Sequence, residues 1–110
     1  MPLFVMTAEF LSPPRPDLFE EHIAWLTARF EEGAFLLSGQ TAAVGDRPAA
    51  PLAIMEAPTR EAALEILDTE PLFRAGVLRH EVVPYEVRVR TSQLDERFDS
   101  PALLRTVPRR

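Results

Sequence analysis

Neither cysteine nor lysine occurs among the 110 residues. Without cysteine, disulfides, thiolate catalysis and zinc–thiolate sites are all excluded. Without lysine there is no Schiff-base mechanism, and all twelve basic residues are arginine. No run of roughly 18 apolar residues is present, so no transmembrane helix is expected. The opening MPLFVMTAEF lacks both the basic stretch and the long apolar core of a signal peptide, which makes a cytoplasmic location the expectation. The four glycines are scattered and form no phosphate loop, and Ser38-Gly39 lacks a GxSxG context. The two histidines, His22 and His80, show no HxH or HExxH spacing, so no metal site is expected. Positive charge is scarce where most of the chain lies. Residues 1–84 carry 6 Arg against 13 acids, a net of −7, and residues 85–110 carry 6 Arg against 4 acids, a net of +2. An acidic body offers no surface to track phosphates, which argues against nucleic acid as a partner.

What is present suits one domain of ordinary composition, 46% hydrophobic and 26% charged. The stretch Asp17–Glu32 has helical periodicity. Phe19, Ile23, Leu26 and Phe30 fall in one stripe, which is expected to pack on a sheet, while Glu20, Ala24, Ala28 and Glu31 lie opposite. His22 sits at the edge of that stripe, flanked by Leu18 and Arg29. Before this helix, Leu3–Phe10 is apolar on both faces and predicts a central strand. The intervening Ser12-Pro13-Pro14-Arg15-Pro16 propagates neither helix nor sheet. Gly33 is placed to end the helix. Ala34–Gln40 and Leu52–Ala57 are short strands around a loop containing Gly45-Asp46. Thr59 is the expected N-cap of a second helix running to about Glu70, with Ala63, Ile66 and Leu67 on its buried side. Val77–Arg90 alternates as a last strand, which Pro84 marks as an edge or a bulge.

The order β-α-β-β-α-β is the ferredoxin-like plan of the α+β class, a four-stranded antiparallel sheet with both helices on one face. The other sheet face is then apolar and uncovered, so a homodimer packed sheet to sheet is expected. Residues 1–90 form the domain in this reading, and residues 91–110 a C-terminal arm. Ser100-Pro101 opens one or two helical turns there, either docked or frayed.

Two side chains are candidates for chemistry. His22 lies on the inner flank of the first helix and Glu70 in the buried sector of the second. A carboxylate beside an imidazole fixes its tautomer and favours its charged form, which is the arrangement that acid–base catalysis uses. The competing readings are a helix-edge histidine bonded to solvent and a glutamate exposed where its helix frays. His80, next to Glu81, is expected at the surface. Trp25, off the apolar stripe, is either a pocket wall or part of a subunit contact.

These residues, in order, resemble the YCII-related (YciI-like) family of the dimeric α+β barrel superfamily. The matching pieces are the apolar first strand, His22 in HIAWL, Gly33, the LLSG of Leu36–Gly39, and the EPLFRAGV of Glu70–Val77 leading to Pro84-Tyr85. The resemblance covers about residues 3–90 and implies a ferredoxin-like fold that dimerises through its sheets. It implies an active site in which a helix histidine, here His22, pairs with an acid at the position of Glu70. Glutamate stands there in place of the family's aspartate, and Leu72 separates Pro71 from Phe73. Asp68 is the substitute if the helix ends elsewhere. The implied function is cofactor-independent lyase, isomerase or dehydrochlorinase chemistry on a small molecule. Gly39 and Phe73 are the implied substrate contacts, and Arg15, just before the helix, is the candidate to hold an anionic group. The second reading is a non-catalytic, small-ligand-binding or accessory dimeric protein.

Overall fold

The computed structural model describes residues 1–110. Its elements follow the expected order: β1 (Leu3–Phe10), α1 (Phe19–Glu31), β2 (Phe35–Thr41), β3 (Ala50–Glu56), α2 (Arg60–Leu67), α3 (Pro71–Arg74) and β4 (Leu78–Tyr85). β1 to β4 form one antiparallel sheet in the order β2-β3-β1-β4. The apolar-on-both-faces β1 is therefore central, and Pro84 falls on the edge strand β4, where its missing N–H costs the sheet least. This is the ferredoxin-like arrangement.

The core lies on one face of the sheet. Phe4, Met6 and Ala8 of β1, Phe35 of β2, Ala53 and Met55 of β3, and Leu78 and Val82 of β4 are buried there together with Ala63 and Leu67 of α2. Val5, Leu52, Ile54, Leu37, Val83 and Tyr85 alternate onto the opposite face, where Leu37, Val83 and Tyr85 are exposed.

Three local expectations are corrected. First, α1 is rotated about its axis relative to the predicted stripe. Phe19, Ile23 and Phe30 are 61%, 42% and 39% exposed, while His22, Trp25, Leu26, Ala28 and Arg29 are the half-buried, sheet-facing residues. The physical reason is that three of these inner residues are amphipathic with apolar bodies whose polar tips find partners. His22 bonds to Glu70, the Trp25 indole N–H donates to Thr69 Oγ1 at 2.8 Å, and Arg29 donates to Glu32 at 2.9 Å while lying over the Trp25 ring. Second, α2 ends at Leu67 rather than running to Glu70. Thr59 caps its start, accepting from the Ala62 N–H, as expected. Asp68 closes the helix, and Pro71 then starts the separate one-turn helix α3. Third, the last strand stops at Tyr85. Chain beyond it leaves the sheet, and β5 (Val89–Thr91) pairs in parallel with β6 (Arg105–Val107). The helical turns predicted after Ser100 are a turn and this strand instead. Ser100 Oγ donates to the Val87 carbonyl and accepts from the Ala102 N–H, fixing the turn.

No helix is long and apolar enough to cross a membrane.

Candidate functional site

The break between α2 and α3 positions the acidic group. Glu70 has an extended backbone (φ −69°, ψ 129°) and is the N-cap of α3, where its Oε2 accepts from the Phe73 N–H at 2.8 Å. Capping points the rest of the carboxylate back under α1. There His22 Nδ1 donates to Glu70 Oε1 at 2.7 Å. The two oxygens thus serve two purposes at once, one ending a helix and one holding an imidazole. Glu70 is the only charged residue in the core, 3% exposed. Burial pushes its carboxyl up, but hydrogen bonds from His22 and from the Phe73 and Leu72 amides outweigh that and hold it below the ordinary value of 4.5. An ionised carboxylate only accepts, so Nδ1 carries the proton and Nε2 is the free nitrogen of the His22 ring.

Between α1, the α2–α3 junction and the sheet lies a cavity of about 280 Å³. Its walls are mostly apolar, with Met6, Trp25, Leu26, Phe35 and Leu72 among them. His22, Glu70, His80, Ser38 and Gln40 supply the polar groups. Few polar groups in an apolar concavity are the usual composition of a small-molecule site.

The structure thus brings His22 and Glu70 into contact and puts both on the cavity wall. Gly39 lines the same cavity. Phe73 stands behind it, bonded to Glu70 through its N–H and stacked on His80 through its ring. Arg15 makes no hydrogen bond to the pair but shares an adjoining surface groove with His22, and its guanidinium is engaged by Asp17 through bonds of 3.0 and 2.8 Å. That pairing raises the Arg15 pKa and lowers that of Asp17. Asp68, the alternative acid, closes α2 and makes no hydrogen bond to His22. Trp25 is a cavity wall in this chain, edge-on to Phe35 with ring centroids 5.6 Å apart.

His80 is the residue the sequence reading misplaced. It is half-buried on the cavity wall rather than at the surface. The signal was in the strand's period of two: His80 alternates in phase with Leu78 and Val82, both buried, and out of phase with Arg79 and Glu81, both exposed. No group of three or more His, Cys, Asp or Glu side chains is placed to hold a metal ion.

The sequence profile of the YCII-related domain matches residues 3–86. No curated protein matches the sequence. Among solved structures, the chain is similar to the 5-chloro-2-hydroxyhydroquinone dehydrochlorinase of Burkholderia phenoliruptrix in complex with 2,5-dihydroxybenzoquinone. The TM-score is 0.60 at 19% identity, covering 77% of this chain and 94% of that one. It is also similar to a muconolactone isomerase, with a TM-score of 0.51 at 22% identity over 76% of this chain and 88% of the other. A cofactor-independent oxygenase from Streptomyces nogalater is more distant, with a TM-score of 0.44 at 15% identity over 80% and 95% of the two chains, and carries no argument. At these identities the likeness establishes the shared ferredoxin-like fold, and chemistry has to be argued from the site.

Proposed function

The chain belongs to the YCII-related family, and from that footing we propose that it is an acid–base catalyst acting on a small organic molecule held in the cavity beside His22. The observation that carries this reading is the 2.7 Å hydrogen bond from His22 to a carboxylate that is almost fully buried. A buried, ionised carboxylate is costly unless it is paired, and here it is paired with an imidazole, a group that can both give and take a proton. His22 is the proton-transfer group. Glu70 keeps the proton on Nδ1, leaves Nε2 for the substrate and stabilises the imidazolium when it forms. Gly39 adds backbone that a ligand approaches without meeting a side chain, and Phe73 fixes the second carboxylate oxygen.

The reaction class is lyase, isomerase or dehydrochlorinase. Each moves protons, and in the last case expels chloride, without net redox change, so imidazole and carboxylate suffice and no cofactor is needed. A dehydrochlorinase and an isomerase on the same fold support that choice. Two copies of the chain pair through the open sheet face, where Leu37, Val83 and Tyr85 leave apolar surface bare.

The test is turnover of chlorinated hydroquinones and unsaturated lactones by the wild type and by His22→Ala and Glu70→Gln. Each variant is expected to lose about 10²–10⁴-fold in kcat/KM. Turnover unchanged in His22→Ala contradicts the reading. Binding of these compounds with no turnover by the wild type favours the accessory, ligand-binding role instead.

A further inference from the structure

The cavity beside His22 does not end at its mouth. Phe10, His22, Gln40 and Leu72 line both it and an adjoining surface groove of about 550 Å³. Pro14, Arg15 and Pro16 of the connector before α1 border this groove, together with Phe19 on α1. Phe10 and Phe19 are large apolar side chains left exposed. Prolines fix the backbone of the connector, so that wall is formed before anything binds.

The groove also differs in charge from its surroundings. Residues 1–84 carry 13 acids against 6 Arg, yet no Asp or Glu lines the groove, and Arg15 is the arginine on it. The Arg15 guanidinium already holds a carboxylate. Its Nε and Nη2 donate side by side to the two oxygens of Asp17, at 3.0 and 2.8 Å. This is the bidentate geometry in which arginine recognises carboxylates. Both side chains are exposed, and an exposed ion pair contributes little, so a ligand carboxylate can take the place of Asp17. From Arg15 to His22 the chain rises roughly 12 Å, through the 3-10 turn Pro16–Leu18 and the first turn of α1.

We propose that the groove binds the tail of the substrate, and that the substrate is an elongated organic acid. Its apolar head sits in the cavity beside His22, its aliphatic chain lies along Phe10, Leu72 and Phe19, and its carboxylate displaces Asp17 from Arg15. This rests on the reading above that the cavity is the site of chemistry, and names the class of molecule it takes. The cavity alone, at about 280 Å³, is at the small end of ligand sites, and the groove supplies the remaining room. Contacts made by the tail hold the reacting end against His22 without entering the reaction. Arg15 is then a specificity-determining residue and Asp17 its internal competitor.

The experiment titrates the full-length protein with phenylalkanoic acids of increasing chain length, from phenylacetate to phenyloctanoate, and with the corresponding amides. Trp25, the only tryptophan, lines the cavity and reports binding by its fluorescence. Affinity is expected to rise with chain length, and the acid to exceed its amide by about tenfold only in the longer members, whose carboxylate reaches Arg15. Arg15→Gln is expected to abolish that advantage, Asp17→Asn to enlarge it, and Phe19→Gln to flatten the rise with length. An advantage of acid over amide that is equal at every length, or that survives Arg15→Gln, overturns the role of Arg15. Binding of phenylacetate with no gain from length overturns the groove and leaves the cavity reading standing. A gain from length accompanied by dissociation of dimers, read by light scattering, overturns it as well, because the groove then belongs to a contact between copies. Failure of every member to bind overturns the substrate class, while turnover of the chlorinated hydroquinones would still support the broader reading.

Discussion

Replacing Glu70 by alanine would strand two donors, the His22 Nδ1–H and the Phe73 N–H, in a largely dry setting. An unsatisfied buried donor costs about 1–3 kcal/mol. Glu70→Ala is therefore expected to lower the urea midpoint by a loss of that order, with Glu70→Asp intermediate because the shorter side chain reaches only one donor. Acid should have a related effect. The folded Glu70 carboxyl lies below its ordinary value, so its contribution is complete above about pH 4.5 and is lost as pH falls through the lowered folded value. The folded His80 also lies below its ordinary 6.5, and because the unfolded chain binds that proton first, stability declines as pH falls below 6.5. Melts from pH 7.5 to 3 should show both declines. The upper one should vanish in His80→Gln and the lower one in Glu70→Gln. At this scale, helical periodicity singled out His22 and Glu70 in the sequence, the latter by extending the second helix past its actual end at Leu67. The reason Glu70 points inward was not legible, because capping of α3 becomes visible only once α2 is known to stop at Leu67.

Helix α1 illustrates what periodicity leaves open. Its apolar residues run most of the way round, so a stripe through Phe19, Ile23 and Phe30 and a stripe through Trp25, Leu26 and Ala28 are both compatible with the pattern. Tertiary partners for the tips of His22, Trp25 and Arg29 decide between them, and those partners lie 48 and 44 residues away for the first two. Ile23→Gln is accordingly expected to change stability by less than about 0.5 kcal/mol, the usual range for a surface position. Met55→Ala, in the fully buried core of β3, is expected to cost about 2–5 kcal/mol. Equal costs at the two sites in chemical denaturation would restore the predicted stripe. Strands were easier to place. β1 carries the same bounds in sequence and structure because a run apolar on both faces is bracketed by Pro2 and the proline-rich connector, whereas alternation that continues past Tyr85 predicts a single long strand where the chain in fact leaves the sheet.

The molecule as a whole has one sheet face under helices and one without cover. Val5, Ile54 and Val83 lie side by side across the bare face, in register on β1, β3 and β4. Val83→Asp would put a charge on the bare face beside Val5 while leaving the helix-side core untouched. Light scattering should therefore report dimers for the wild type and monomers for Val83→Asp at the same micromolar concentration. A wild-type monomer would contradict the proposed pairing. The cavity is also a property of the whole fold, because α1, the α2–α3 junction, β1 and β4 each contribute a wall.

The pair of His22 and Glu70 on that cavity is the centre of the account. It is tested most directly by nitrogen-15 NMR of the imidazole rings at pH 7, in the wild type and in Glu70→Gln. The account predicts that His22 carries a proton on Nδ1 whose resonance lies far downfield, as a short bond to a carboxylate requires, and that this resonance moves upfield or disappears in Glu70→Gln. A bare Nδ1 in the wild type, or a spectrum of His22 indifferent to Glu70→Gln, would contradict it.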